Sequence, residues 1–226
     1  MVGAQQLLSA REHSAFTSIA DLVRRAGLNQ GNRDALAAAD ALSSLSTDRH
    51  RAFWDASAVT AVPPLFANAA DDFGQAHPGA ILMLPRPNEA QNVVADYNHT
   101  GLSLRRHPLA LWREHLSAYR VLSAGQLDMY SDSSHVKVAG LITCRQRPQT
   151  ASGVTFLTLE DETGFINVVV WPSLLEQYYR QVHEASVMGV TGTLQRADGV
   201  THVIASVLVD LSHWFAGMSL SSRDFS

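Results

Sequence analysis

From His135 onward, apolar side chains recur at every second position, and this alternation is the strongest constraint on what the chain can fold into. Val136-Lys137-Val138-Ala139-Gly140-Leu141-Ile142-Thr143-Cys144-Arg145 reads as a strand. Val154 to Leu159 is a second, and Phe165 to Trp171 a third, with Asp161-Glu162-Thr163-Gly164 turning between them. Pro172 to His183 takes a helical period. Two further strands follow, Ser186 to Arg196 and Val200 to Asp210, joined at Ala197-Asp198-Gly199. Asp-Gly supplies the positive backbone angles that a two-residue hairpin demands.

The resulting order is three strands, a helix and two strands, the order of a five-stranded OB barrel. The preceding chain is helical instead. Ser18 caps a helix over 19–26 whose Ile19, Leu22, Val23 and Ala26 share a face, and Gly27 stops it. Helices are expected over Arg33 to Leu42, Thr47 to Ala56, Asn88 to His99 and Leu109 to Tyr119. Pro63, Pro64, Pro78, Pro85 and Pro87 interrupt the stretch between the third and fourth. The fold class expected is α+β, with a helix-hairpin-helix-type module over 1–60 and a linker with short helices over 61–130. An OB-fold domain over 131–212 and a tail over 213–226 complete it.

Two regions carry candidate chemistry, both for nucleic acid. Around Ala26-Gly27-Leu28, a hairpin between helices can offer backbone N–H groups to a phosphate, and Gly27 permits close approach. Arg24, Arg25 and Arg33 add charge there. A plain helical pair with a glycine stop has the same appearance. In the barrel, alternation turns Val136, Val138, Ile142 and Cys144 inward and Lys137, Thr143, Arg145 and Arg147 outward. On the third strand Ile166, Val168 and Val170 face the core, while Phe165, Asn167, Val169 and Trp171 face out. Phe156, Asn167 and Trp171 beside Lys137, Arg145 and Arg147 suit a stacking platform with a cationic rail. Phe156 and Trp171 could equally pack inside the barrel or against the helix.

Composition excludes other classes. The 226 residues carry 17 Lys and Arg against 21 Asp and Glu, a net charge of −4, so binding cannot rest on bulk charge and needs local clusters and stacking. Cys144 is the sole cysteine, which excludes disulfides and cysteine-based zinc sites. Ten histidines are scattered without metal-like spacing, and no metal or other cofactor is expected. No Gly-rich phosphate loop or nucleophile elbow occurs, so no catalytic residues are expected. No secretory signal or 18-residue apolar run is visible, which points to a cytoplasmic protein without a membrane segment.

Several motifs carry a family resemblance. Asp96-Tyr97-Asn98-His99-Thr100-Gly101-Leu102-Ser103-Leu104-Arg105-Arg106-His107-Pro108-Leu109 resembles the segment that precedes the OB domain in bacterial C-family DNA polymerases. Val138 to Leu141, Arg145 to Pro148 and Phe156 to Gly164 are similar to the start of that domain. Ser222-Arg223-Asp224-Phe225 resembles the ending of the error-prone, damage-tolerant branch, with Ser226 where that branch has histidine. The resemblance covers the chain from about Phe16 onward.

The family's catalytic aspartates lie in a palm domain N-terminal to this region, and nothing here matches it. The resemblance therefore implies DNA handling in translesion synthesis without nucleotide transfer: duplex or primer-template DNA at the hairpin and single-stranded template at the barrel. Val62-Pro63-Pro64-Leu65-Phe66 occupies the place of the family's clamp-binding pentapeptide. Leu65 and Phe66 keep its apolar anchor, but the glutamine is absent, which implies only indirect contact with the sliding clamp. A rival reading makes the barrel a docking module for the Y-family-like and RecA-like mutagenesis partners of the family. The count over 131–226, six Lys and Arg against nine Asp and Glu, leans that way.

Overall fold

The computed structural model describes residues 2–59, 85–197, 199–215 and 223–225. The chain forms two compact units, Met1–Thr100 and Gly101–Ser226. The first is helical: α1 (Val2–His13), α2 (Ile19–Arg25), α3 (Gln30–Ala38), α4 (Arg49–Ala58) and α5 (Glu89–Thr100). Each of α2, α3 and α4 starts on a capping side chain. Ser18 Oγ accepts from Asp21 N at 3.1 Å, Asn29 Oδ1 from Asn32 N at 2.9 Å, and Asp48 Oδ1 from Arg51 N at 2.9 Å. The Asn29 cap sets the start of α3 three residues before the expected Arg33. Ile19, Leu22, Val23, Leu28, Ala37, Leu42, Ala52 and Ala56 form its core.

α1 has no counterpart among the helices expected from the sequence. Of its described side chains, Leu7 and Ala10 pack toward that core while Leu8 is left 63% exposed, so its apolar period is too faint to read. α5 is held to α4 by a buried ion pair between Arg49 Nη2 and Asp96. Arg49 Nη1 also donates to Asn92 O at 3.2 Å. Asp96, the first residue of the 96–109 segment, thus has a framework role.

The second unit opens with α6 (Pro108–Ala118) and a 3-10 turn, Ala124–Met129. Strands β1 (His135–Gln146), β2 (Thr155–Asp161), β3 (Gly164–Val170), β4 (Val187–Ala197) and β5 (Val200–Asp210) follow, with α7 (Pro172–Gln177) and α8 (Tyr179–Glu184) between β3 and β4. The segment 85–130 of the expected linker therefore divides, α5 in one unit and α6 in the other. The sheet runs β2-β3-β5-β4-β1, and β1 returns to β2, closing the five-strand barrel that the strand order predicts. A short β6 (Arg223–Phe225), within the expected tail, pairs in parallel with β1.

Inside the barrel lie Val136, Val138, Ile142, Leu157, Leu159, Ile166, Val168, Val170, Met188, Val190, Leu194 and Val203. β1 serves both halves of the closure, pairing with β4 over His135–Leu141 and with β2 over Leu141–Gln146. Gly140 sits where it bends. A Cβ there would lie 2.6 Å from Leu159 Cβ, so only glycine allows the close approach.

Candidate nucleic-acid interface

The outer face of β2, β3 and β5 is laid out by register. Phe156 pairs with Val169, Thr158 with Asn167 and Glu160 with Phe165. Across the parallel ladder to β5, Asn167 neighbours His202 and Val169 neighbours Ile204. The inward partners Leu157, Leu159, Ile166 and Val168 are all core, so these residues face out. Phe156 is half-buried, Phe165 is 66% exposed and Trp171 is 51% exposed. Of the alternatives open in the sequence for Phe156 and Trp171, packing in the barrel core is not what the fold adopts. Next to Asn167, His202 buries its Nδ1 with no partner among the described residues.

The loop from β1 to β2 bounds this face at one end. Ser152 and Gly153 take left-handed backbone angles there, φ +49° and +84°. The Pro172 ring and Arg147 Nη2 lie 3.5 and 3.7 Å from where a Gly153 Cβ would sit, which brings exposed Arg147 to the loop beside Trp171. Arg196, near the β4–β5 hairpin, is spent internally: its Nη2 donates to the carbonyls of Leu127 and Asp128, both at 3.1 Å. Its backbone N–H donates to Asp132 at 2.8 Å and is the chief reason the Asp132 carboxyl lies below its usual range.

At the opposite end the β2–β3 turn is acidic and tightly held. Asp161 Oδ1 accepts from Thr163 N at 2.7 Å and Gly164 N at 3.1 Å, and its Oδ2 from Ala124 N at 2.7 Å. Arg113 of α6 donates to Glu162 Oε2 at 3.0 Å and to Asp161 Oδ2 at 3.4 Å. His107 caps α6, its Nδ1 accepting from Leu109 N at 3.2 Å. Burial, outweighing the nearby Glu160, Glu162 and Asp161, holds His107 below the ordinary histidine range.

The structure corrects the expected facing of β1's far end. Register shifts between Ile142 and Cys144, a β-bulge at Thr143. Beyond it Cys144 pairs with outward Thr158, and Arg145 pairs with the core residue Leu157. Arg145 therefore does not face the platform. Its Nε donates to Val182 O at 2.7 Å and its Nη2 to Ala185 O, capping the end of α8. Lys137 is exposed but pairs with Thr191 of β4, on the other side of the barrel from Phe156. Phe156, Asn167, Trp171 and Arg147 are thus brought together; Lys137 and Arg145 are not. Phe165, read as outward from the sequence, belongs with that group, and His202 is an addition that only the β3–β5 register reveals.

In the helical unit, Gly27 adopts φ +59° with nothing within 4 Å of a built Cβ, so the turn, not crowding, selects glycine. The hairpin amides are consumed: Gly27 N donates to Arg24 O at 3.3 Å and Leu28 N to Val23 O at 3.2 Å. Arg25 binds the carbonyls of Ser14 at 2.9 Å and Ala15 at 3.3 Å, pairs with Asp21 at 3.2 Å, and covers the Phe16 ring at 4.8 Å. Arg33 donates to Leu28 O at 2.9 Å and to Val59 O. Arg24 is exposed, and beside it Gln6, Ser9 and His13 line a groove of about 580 Å³ without a carboxylate. Leu65 and Phe66 lie outside the described residues.

Among the described residues no group of His, Cys, Asp and Glu could hold a metal ion, and no helix is long and apolar enough to cross a membrane.

Comparison with known proteins agrees with this layout. Residues 136–211 match the model of an OB-fold nucleic acid binding domain, and residues 2–52 that of a helix-hairpin-helix motif. An error-prone DNA polymerase of Methylococcus capsulatus is 46% identical over 98% of this chain, covering 21% of its own length. Those of Azoarcus sp. and Xanthomonas axonopodis pv. citri are 45% and 42% identical over 98% and 99% of the chain, each covering 20% of its own length. The chain thus spans about a fifth of the length of these relatives. Over nearly all of its length the chain is similar to about a fifth of each of these error-prone DNA polymerases, and it matches a helix-hairpin-helix motif and an OB-fold nucleic acid binding domain in its own right.

Proposed function

We propose that this chain is a non-catalytic, DNA-binding portion of an error-prone polymerase, guiding single-stranded template across the β2–β3 face during translesion synthesis. The observation that carries this reading is the face itself. Phe156, Phe165 and Trp171 offer ring surfaces, Asn167 offers a hydrogen-bonding edge, and Arg147 brings charge to the bounding loop. Aromatic rings under bases with a cation on the backbone are how single strands are held without sequence preference. Duplex contact falls to the helical unit, through Arg24 and the Gln30 and Gly31 amides that open α3, Asn32 N being taken by the Asn29 cap. Gly27 shapes the turn, and Arg25 braces it.

Titration with labelled single-stranded DNA at several salt concentrations tests the reading. Each phosphate neutralised on a single strand contributes about −0.7 to the slope of log K against log salt. Binding with a negative slope is expected, shallower by about 0.7 in Arg147→Ala. No saturable binding, or a flat salt response, removes the proposal. Primer extension by the purified chain should not exceed the blank; Mg²⁺-dependent extension by clean protein overturns the non-catalytic assignment.

A second reading, docking of Y-family-like and RecA-like partners, is favoured by the acidic balance of 131–226 and by Val207 and Val209, which expose 41% and 48% of their surface on β5. The clamp is reached through such a partner, since the Val62–Phe66 stretch lacks glutamine. Micromolar binding of clamp to this chain, abolished by Leu65→Ala with Phe66→Ala, refutes indirect recruitment.

A further inference from the structure

Thr158 on β2, Asn167 on β3 and His202 on β5 are successive register partners, so they form one row across three strands of the outer face. All three are half-buried, yet none of their side chains makes a hydrogen bond among the described residues. The Nδ1 of His202 is fully covered and still has no partner among them. Polar groups held away from water without a partner cost stability, and a bound ligand is one way to recover it. Rings bracket the row. Phe156 precedes Thr158 by two residues and Phe165 precedes Asn167 by two, and the strands are antiparallel. The polar pair therefore lies midway between the two phenylalanines.

Glu160 gives this row a polarity. It follows Thr158 on the outer side of β2, opposite Phe165 and diagonal to Asn167 at about 7–8 Å. Asp161 and Glu162 beside it are engaged, the first by backbone amides and the second by Arg113. Glu160 makes no hydrogen bond or ion pair among the described residues. A free carboxylate on a face that holds a polyanion weakens binding by repelling phosphates, unless a donor on the base uses it.

We propose that this face discriminates among unpaired bases, Glu160 accepting from an exocyclic amino group while Asn167 bonds the next position of the same base edge. Cytosine presents an amino donor where thymine presents a carbonyl acceptor, and uracil shares thymine's carbonyl. Against Glu160 the amino group makes a charge-assisted bond. A carbonyl there meets a second acceptor, and both groups lose water without replacement. Thr158 and His202 can each donate or accept, so they serve neighbouring bases of either kind. The rival is a solvated polar row in which stacking alone sets affinity.

This proposal rests on the single-strand reading above, and a pair of probes separates their failures. Labelled oligodeoxycytidylate and oligodeoxyuridylate of equal length are titrated against the full chain, Glu160→Gln, Asn167→Ala and Phe156→Ala, each also followed by thermal unfolding. The two bases differ in an amino group against a carbonyl, so backbone charge and ring size match. The parent should bind the cytidylate roughly fivefold tighter or more, the lower end of what one well-read base edge confers. Glu160→Gln should bring the two affinities together, since a side-chain amide can donate to the carbonyl. Removing a negative charge helps both probes alike through their phosphates, so the ratio is the readout. Asn167→Ala should shrink the ratio, and Phe156→Ala should weaken both probes equally. If the parent binds both probes alike, or its preference survives Glu160→Gln, the row is solvated surface and the proposal falls, while the loss in Phe156→Ala keeps the single-strand reading. If the parent binds neither, both readings fall. Should Glu160→Gln melt early, the ratio in Asn167→Ala decides.

Discussion

The helical unit and the barrel both match nucleic-acid-binding families, yet they use their arginines and polar groups differently. In the helical unit Arg25, Arg33 and Arg49 are turned onto carbonyls and carboxylates of their own fold, and the Gly27 and Leu28 amides close the helix end. Only the groove beside Arg24 and the start of α3 are left open to a ligand among these features. The barrel also consumes Arg113, Arg145 and Arg196 internally. It nevertheless leaves a sheet face where ring surface, not charge, is in surplus. A chain of net charge −4 can hold single strands this way because stacking needs no field. Counting basic residues, seven in 1–100 and ten in 101–226, does not show which cations a ligand could use, since hydrogen-bond partners decide that.

The sharpest break of that contrast is Asp96→Ala. It takes the closer carboxylate from a guanidinium only 7% exposed, leaving Asp40 at 4.0 Å and the Asn92 carbonyl, so the cost stays below the roughly 3–5 kcal/mol of a fully uncompensated buried charge. The helical unit should melt early, while single-strand affinity, assigned to the barrel, is retained. Loss of both would move template binding into the helical unit. Arg145→Ala should cost the barrel about 2 kcal/mol, since it deletes charged hydrogen bonds to Val182 and Ala185 carbonyls, without changing the salt slope. A shallower slope with an unmoved melting temperature would return Arg145 to the phosphates. Phe156→Ala should cost about 1–3 kcal/mol of binding with the fold intact. A core phenylalanine would instead cost about 3–5 kcal/mol of stability, so unfolding and affinity measured on one variant separate the two.

Much of the barrel is legible because its signals are local. Alternation marks all five strands, and Ala197 pairs with Val200 across the hairpin that Asp-Gly predicts. Facing on β1 fails past Ile142 because a single bulged residue inverts the alternation, and nothing about Thr143 announces it. Arg145 misleads for a related reason: its acceptors lie 37 and 40 residues away and are carbonyls, which every residue carries. His202 joins the face through a parallel pairing between β3 and β5 that no short-range pattern encodes. In the helical unit, the cap Ser18 announces α2, whereas α1, with Leu8 exposed, has no clear apolar stripe.

The smallest effect concerns pH, and it again divides the two units. His107 is neutral in its capping role, because Nδ1 can accept from Leu109 N–H only while unprotonated. Its Nε2 is buried with no partner among the described residues. Burial lowers its proton affinity; Glu160, Glu162 and Asp161 pull the other way, and Arg113 adds to the lowering. The unfolded chain, with an ordinary histidine near pH 6.5, therefore takes up a proton before the folded chain does. More protons on the unfolded state means stability falls as pH falls. The contribution is intact above about pH 6.5 and is lost as pH drops from there toward the depressed folded value. Protonation also breaks the cap, loosening α6, whose Arg113 holds the Asp161–Glu162 turn beside the platform. His107→Asn keeps a capping side chain and removes the titration. Between pH 7.5 and 5.5 the barrel transition of the parent should drop further than that of the variant. Equal drops would assign the pH response to other groups and leave His107 as a cap alone.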